Sequence, residues 1–128
     1  MKDWRWTNQR KVIMQSLVGR TDHPTAEELY HDLRNQGAEI SLPTVYRNLR
    51  ALAREGEVLE LRGAGPDRFD PATHPHYHFR CSQCDKVFDV DIPYRAELDQ
   101  VDLGRDLVQV GHEIMWVGVC PLCRGKDK

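Results

Sequence analysis

The 128-residue chain has no long hydrophobic run. None of its apolar stretches approaches the ~20 residues that a membrane-spanning helix needs. The opening residues, MKDWRWTNQR, offer no apolar core of the kind a secretory signal carries. A cytoplasmic location with no membrane partner is therefore the expectation. A strong charge of one sign is also missing: the formal net charge is −2, so the chain as a whole does not advertise nucleic-acid binding. Internal repeats and low-complexity segments are absent. What remains, 40% hydrophobic and 30% charged, is a globular rather than a disordered composition. The length suits one ordinary domain or two small ones. A very small domain buries too little apolar surface to be secure on core packing alone.

The modest charge is unevenly placed. Residues 1–63 hold 10 Lys+Arg against 9 Asp+Glu, and residues 64–128 hold 8 against 11. The sign fits a nucleic-acid half followed by a cation-binding half. The first half reads as three helices and a hairpin. Thr7 can cap a helix whose inward face is Val12, Ile13 and Leu17. Thr25 and Glu28 form a capping box, and Ala26, Leu29, Tyr30 and Leu33 follow at helical spacing up to the stop at Gly37. Ser41 caps a third helix, with Pro43 in the first turn and Val45, Leu49, Leu52 and Ala53 on its core face. Gly56 ends it. Val58 to Leu61 and Arg68 to Asp70 then read as strands around a Gly-Ala-Gly-Pro-Asp turn. Helices followed by a short hairpin resemble a winged helix. Residues 71–75 have the composition of a hinge.

The second half reads as strand-rich. Tyr77–Arg80 and Lys86–Ile92 flank a Cys-x-x-Cys turn, Arg95–Leu103 suggests a short helix, and Val108, Val110, Ile114 and Trp116 alternate as in a half-buried strand. The fold class expected is α+β, divided into residues 1–70, a hinge at 71–75, and residues 76–128.

Cys81-Ser-Gln-Cys84 and Cys120-Pro-Leu-Cys123 are two Cys-x-x-Cys units separated by 35 residues. Each turn offers two thiolates, and two turns complete a tetrahedral shell with Zn–S bonds of about 2.3 Å, the closed geometry of structural zinc. Thiolate softness favours zinc over calcium or magnesium. A redox dithiol lacks its βαβ setting here, and an iron–sulfur cluster is the other alternative. A zinc deaminase would need Pro before the first Cys of the second pair and an upstream His-x-Glu. Val119 precedes Cys120, and His112 and Glu113 are adjacent, so that pattern fails.

Six histidines are generous for this length, and three lie in His74-Pro-His76-Tyr-His78. On a strand, His76 and His78 point to one face. Asp70 lies just upstream, and Asp89 lies on the strand leaving the Cys turn. Imidazole and carboxylate without thiolate suit Fe(II) or Mn(II) and do not exclude zinc. The competing reading is a set of exposed loop histidines. On the third helix, Tyr46, Arg47, Arg50 and Arg54 lie away from the core positions. Arginine can bond guanine bidentately or clamp a phosphate, and tyrosine can meet a thymine methyl. A solvated helix face is the alternative, but the third helix before a hairpin is where a winged helix places its reading element.

Thr7-Asn-Gln-Arg10, His23-Pro-Thr-Ala-Glu-Glu-Leu-Tyr30, Pro43-Thr-Val-Tyr-Arg-Asn-Leu49, Arg68-Phe-Asp70, His76-Tyr-His-Phe-Arg-Cys81 and Gly118-Val-Cys-Pro-Leu-Cys123 together resemble the ferric uptake regulator family over nearly the whole chain. The resemblance implies an N-terminal winged helix, a small C-terminal α/β dimerisation domain, and a homodimer on an inverted-repeat DNA operator. It implies that Tyr46 and Arg47 touch DNA, and that Arg5 reaches the minor groove. It adds His23 to a regulatory shell of His23, Asp70, His76, His78 and Asp89. It implies a metal-loaded repressor rather than an enzyme, with Zn2+ as the structural ion and Fe2+ or Mn2+ as the regulatory one. Zinc sensors of the family use a Cys in the sensing site, and all four Cys here belong to the two pairs. Iron sensors often carry Glu where this chain has Asp70 and Asp89, whereas two Asp with three His resemble the peroxide-sensing branch, in which a ligand His is oxidised. His76 and His78 are the candidates for that oxidation; a manganese-responsive member would look much the same. Relatives with an additional metal site have ligands at the positions of Pro75 and Tyr77, which leaves His112 as a candidate remnant. An N-terminal extension found in some relatives is not expected. A hydrolase using the His/Asp cluster would need a general base beyond the ligands, and none is evident. That reading would also leave Tyr46 and Arg47 unexplained, whereas a third reading, a zinc-stabilised interaction module with no regulatory metal, keeps the four-cysteine site and treats the histidines as surface residues.

Overall fold

The computed structural model describes residues 5–63 and 65–126. The chain forms two compact units, Met1–His74 and Pro75–Lys128. Among the described residues no helix is long and apolar enough to cross a membrane.

The first unit contains α1 (Asn8–Leu17), α2 (Ala26–Asn35), α3 (Leu42–Arg54) and a hairpin of β1 (Leu59–Leu61) and β2 (Arg68–Asp70). Each helix starts at a side-chain cap. Thr7 Oγ1 accepts the Arg10 N–H at 3.2 Å. Thr25 Oγ1 accepts the Glu28 N–H at 3.1 Å, while Glu28 Oε1 accepts the Thr25 N–H at 3.0 Å. Ser41 Oγ accepts the Thr44 N–H at 3.3 Å. Each cap satisfies a backbone donor that the helix cannot. α2 stops where Gly37 takes φ +90°, a conformation glycine adopts without steric cost.

Ile13, Leu17, Leu29, Leu33, Val45, Leu49, Leu52, Val58 and Phe69 build one core. Burying each large apolar side chain stabilises the fold by roughly 1.5–3 kcal/mol. Val12 departs from the expected inward face: it is 40% exposed. It lies one residue, about 100°, from Ile13, and the stripe fixed by Ile13 and Leu17 is too narrow to include it. In the hairpin, Leu59 faces Asp70 and Leu61 faces Arg68. β2 is also tied to the entrance of α2, since the Phe69 N–H donates to the Pro24 carbonyl at 2.9 Å and Thr25 bridges to Arg68.

The second unit is a three-stranded sheet in the order β4-β3-β5, formed by β3 (Tyr77–Cys81), β4 (Val87–Val90) and β5 (Met115–Gly118). β3 and β4 are antiparallel across the first Cys turn, and β3 and β5 are parallel. A parallel pair needs a crossover, here residues 91–114. The crossover is far less regular than its sequence pattern suggests. The helix expected over Arg95–Leu103 is only a 3-10 turn, Ala96–Asp99, and Val101 lies exposed outside it. Val108 and Val110 are 88% and 100% exposed and belong to no strand; pairing begins only at Met115. Alternation produces a strand only where a partner edge runs alongside, and β3 supplies one only opposite residues 115–118. A short helix, α4 (Pro121–Lys126), starts inside the second Cys pair and carries Cys123.

Candidate metal centres and nucleic-acid interface

The two Cys turns meet at one end of the second sheet. β3 ends on Cys81, and the chain reverses through Asp85, whose N–H donates to the Cys81 carbonyl at 2.9 Å. Asp85 has φ +65°, so the reversal uses a left-handed residue. The other turn is latched on by Ser82, whose N–H and Oγ both donate to the Gly118 carbonyl, at 2.7 and 3.1 Å. A Cβ added at Gly118 would lie 3.0 Å from the Phe79 ring, which would have to shift to admit it. The four sulfurs of Cys81, Cys84, Cys120 and Cys123 lie within 4.8 Å of one another. Cys84 Sγ and Cys120 Sγ are 3.8 Å apart. A tetrahedral shell with ~2.3 Å bonds has edges of about 3.8 Å, so the spacing fits a four-thiolate metal site.

The electrostatics agree with the geometry. The Cys81 sulfur accepts amide N–H groups from Cys84 at 3.5 Å and Cys120 at 3.4 Å. These donors, that of Cys84 foremost, hold its thiol down at about 6. Burial, followed by hydrogen bonding to the other cysteines, pushes the Cys123 thiol up to about 12. The thiolate form is favoured at Cys81 and disfavoured at Cys123. A bound metal supplies a cation and deprotonates its thiol ligands.

The imidazoles and carboxylates form two further groups, one in each unit. In the first unit His23 Nε2 lies 3.3 Å from Asp70 Oδ2, and both residues are buried. His23 has φ +51°, a left-handed conformation uncommon outside glycine. Buried Arg68 fixes this loop: its Nη1 donates to the His23 carbonyl at 3.0 Å and pairs with Glu28 at 3.4 Å. Asp70 is oriented by the Ala72 N–H, which donates to Oδ1 at 2.9 Å. In the second unit the register of β3 and β4 sets His78 opposite Asp89. Asp89 Oδ1 lies 3.2 Å from His76 Nε2 and 3.4 Å from His78 Nε2, and the two rings are 4.4 Å apart. Two imidazoles and one carboxylate thus converge on a point that a hard or borderline divalent cation can occupy.

His112 lies elsewhere in the second unit. Its Nδ1 faces Asp99 Oδ1 at 2.6 Å and its Nε2 faces Tyr77 Oη at 2.5 Å. Tyr94 Oη donates to the same Asp99 carboxylate at 2.7 Å. No local motif signals Tyr94 or Asp99, because the His112 they share lies 18 and 13 residues away.

On α3, Tyr46, Arg47 and Arg54 are exposed. Arg47 Nη2 donates to Thr44 Oγ1 at 3.4 Å on the same face. Arg50 is partly engaged by the hairpin, 3.5 Å from Glu60 and 3.9 Å from Asp67, and its guanidinium lies over the Tyr46 ring at 5.3 Å. Arg5 is exposed, and its carbonyl accepts from Arg10 Nη1 at 2.8 Å. Arg10 Nε also donates to Asn48 Oδ1 of α3 at 3.2 Å. Arg10 and Asn48 therefore connect the N-terminal segment to α3; sequence reasoning missed both, although a polar Asn48 beside core Leu49 was a visible signal.

The model of the ferric uptake regulator family matches residues 1–113. The peroxide-responsive repressor PerR of Staphylococcus aureus is 39% identical over 124 residues, covering 95% of this chain and 84% of that protein. Among solved structures, the ferric uptake regulator of Vibrio cholerae is 28% identical with a TM-score of 0.71, over 91% of this chain and 92% of that one. The ferric uptake regulator of Francisella tularensis, solved with iron, is 19% identical with a TM-score of 0.76, over 97% and 98%; at that identity the likeness concerns the fold.

Proposed function

The chain belongs to the ferric uptake regulator family, and on that premise we propose that it is a metal-dependent transcriptional repressor that responds to peroxide. One observation carries this reading: the His76, His78 and Asp89 donors converge without a thiolate among them. The 39% identity to a peroxide-responsive repressor supports the branch.

We assign a structural zinc ion to Cys81, Cys84, Cys120 and Cys123, where four sulfurs at tetrahedral spacing fit it. We assign a regulatory Fe2+ or Mn2+ to His23, Asp70, His76, His78 and Asp89. The first two residues stand on a winged-helix domain, residues 1–70, and the histidine pair and Asp89 on a dimerisation and sensing domain, residues 76–128, with 71–75 as the hinge. Neither group alone offers the five or six donors that such an ion prefers. Bringing both groups to one ion selects a closed arrangement of the domains, and only this difference in affinity between closed and open states can shift the equilibrium. Leu103, Leu107, Val108 and Val110 are exposed in the single chain, which supports a homodimer that covers them.

In the closed dimer two copies of α3 would meet an inverted repeat at half-site spacing. Tyr46 and Arg47 supply the major-groove contacts and Arg5 a minor-groove contact. Arg50 joins them by exchanging its long pairs with Glu60 and Asp67 for a phosphate. A bound Fe2+ would supply one-electron chemistry toward peroxide; His76 and His78 would help hold it and are the candidate rings for oxidation, which would dismantle the donor set. Such a regulator acts in the cytoplasm.

Fluorescence anisotropy on operator DNA tests this. Zinc-loaded protein is compared with Mn(II) and with anaerobic Fe(II), and peroxide is then added to each. Both metals are expected to promote binding, and peroxide to abolish only the Fe(II) form, leaving +16 Da on a peptide containing His23, His76 or His78. Fe(II)-dependent binding that survives peroxide would make this an iron or manganese regulator instead.

A further inference from the structure

Tyr77 is almost completely buried, and its oxygen accepts the Arg95 N–H at 3.0 Å. Its other close partner is His112 Nε2 at 2.5 Å, and on the far side of that ring Nδ1 lies 2.6 Å from Asp99 Oδ1; a neutral ring that accepts the Tyr77 proton at Nε2 donates from Nδ1 to the carboxylate. Tyr94 donates to the same carboxylate. Asp99 is held below the usual carboxylate range, first by the Tyr94 hydroxyl and then by His112. Every donor in the chain Tyr77–His112–Asp99–Tyr94 has an acceptor, and the ring packing reinforces it. Tyr94 stacks on His112 at 4.7 Å, and Trp116 meets Tyr77 edge-on at 5.6 Å.

Tyr77 is also the residue between His76 and His78. Successive strand side chains alternate between faces, so anchoring Tyr77 on one face orients its two neighbours on the other. The ladder makes this anchor important for one neighbour in particular. β3 pairs with β4 from Tyr77 onward and with β5 from His78 onward. His76 lies just outside both ladders, so its nearest fixed point along the strand is Tyr77.

We infer that the Tyr77–His112–Asp99 relay is a positioning device for the His76/His78 donor pair. It sets the pleat of the strand so that both imidazoles face Asp89. The inference rests on the regulatory-site reading above. It gives His112 and Asp99 a role in metal affinity without making either a ligand. Donor sets work only when held to within ~0.5 Å and ~10–20°, and removing a partner that orients a ligand weakens metal binding about 10–100-fold.

The test uses the full-length zinc-loaded protein, with Mn(II) affinity read by EPR of the free ion and Co(II) coordination read by visible absorption. Tyr77→Phe keeps the ring and removes only the hydroxyl. Asp99→Asn keeps an acceptor toward His112 and is the milder second variant should Tyr77→Phe fold poorly. The expected result is about a tenfold weaker Mn(II) dissociation constant for Tyr77→Phe, a smaller shift for Asp99→Asn, and altered Co(II) bands in both, with zinc content unchanged. Wild-type affinity and bands in both variants would overturn the inference. So would weaker binding with unchanged Co(II) bands, which is the signature of general destabilisation. His76→Ala is the control: if it leaves the Co(II) bands of the wild type unaltered, the regulatory-site reading itself has failed.

Discussion

Ten apolar residues from three helices and the hairpin segment make the core of the first unit, whereas the buried cluster of the second is three cysteines backed by Phe79. The first unit is held as most small domains are, by area removed from water. The second buries few of its apolar side chains in the single chain and leaves many exposed, several of them in its crossover. Its order depends on sulfur donors at one end and on the Tyr77–His112–Asp99–Tyr94 network at the other. Small domains that bury too little apolar surface recruit metal, and the polar network shows the complementary device of satisfying every buried donor. The units should therefore respond to different perturbations.

The largest separation should come from removing zinc. Chelation, or Cys81→Ser, takes away an ion whose binding contributes roughly 10–16 kcal/mol in small zinc domains. Amide exchange should rise throughout β3, β4 and β5 while α1, α2 and α3 keep their protection. Uniform loss in both units, or none in the second, would contradict the division of labour. The converse perturbation is Phe69→Ala. Phe69 is fully buried between the helices, and such truncations cost about 3–5 kcal/mol. Denaturant unfolding of the helices should move to lower concentration, and the bound zinc per chain, measured by mass spectrometry, should stay constant.

The same contrast governs what could be read from sequence. In the first unit the signals are local: Thr7, Thr25 and Ser41 mark helix starts, and the spacing of Leu29, Leu33, Val45 and Leu49 marks the buried faces. Local periodicity failed only at the margin of a stripe, at Val12. In the second unit the Cys turn and its two flanking strands were legible; the register that sets His78 opposite Asp89 came only with the structure. The crossover was not legible. Val108 and Val110 alternate as in a strand, but no described strand runs beside them, and pairing with a distant edge leaves no local trace. The engagement of Arg50 by Glu60 and Asp67 was hidden for the same reason, as was the convergence of Tyr94 and Asp99 on His112. The cysteine and histidine clusters were visible because their spacing is itself chemical information. The side chains that support them, Arg68 behind His23 and Tyr77 beside His76, lie inside the stretches that resemble the family, but nothing in their spacing signals a supporting role.

A smaller effect would sharpen the comparison by titrating the polar network instead of cutting it. The Asp99 carboxylate, before burial, pushes the Tyr94 phenol up to about 12 from an ordinary value near 10. A phenol whose folded value is raised contributes stability that is complete below about pH 10 and is lost as pH climbs through about 12. Asp99 is shifted the other way, so its contribution is complete above the ordinary carboxylate range and fades only in strong acid. Between these limits neither the Tyr94 phenol nor the Asp99 carboxylate changes its charge. Thermal unfolding of the zinc-loaded protein and of Tyr94→Phe should therefore differ by a constant amount from about pH 6 to pH 9, and the two should converge between about pH 10 and pH 12. A gap that stays constant to pH 12 would show that the Tyr94 hydroxyl is not held by Asp99. A gap that closes already near neutrality would place the titration on another group and detach Tyr94 from the network. Convergence in the alkaline window alone ties the second unit's stability to a proton held between two side chains, a dependence the apolar core of the first unit does not have.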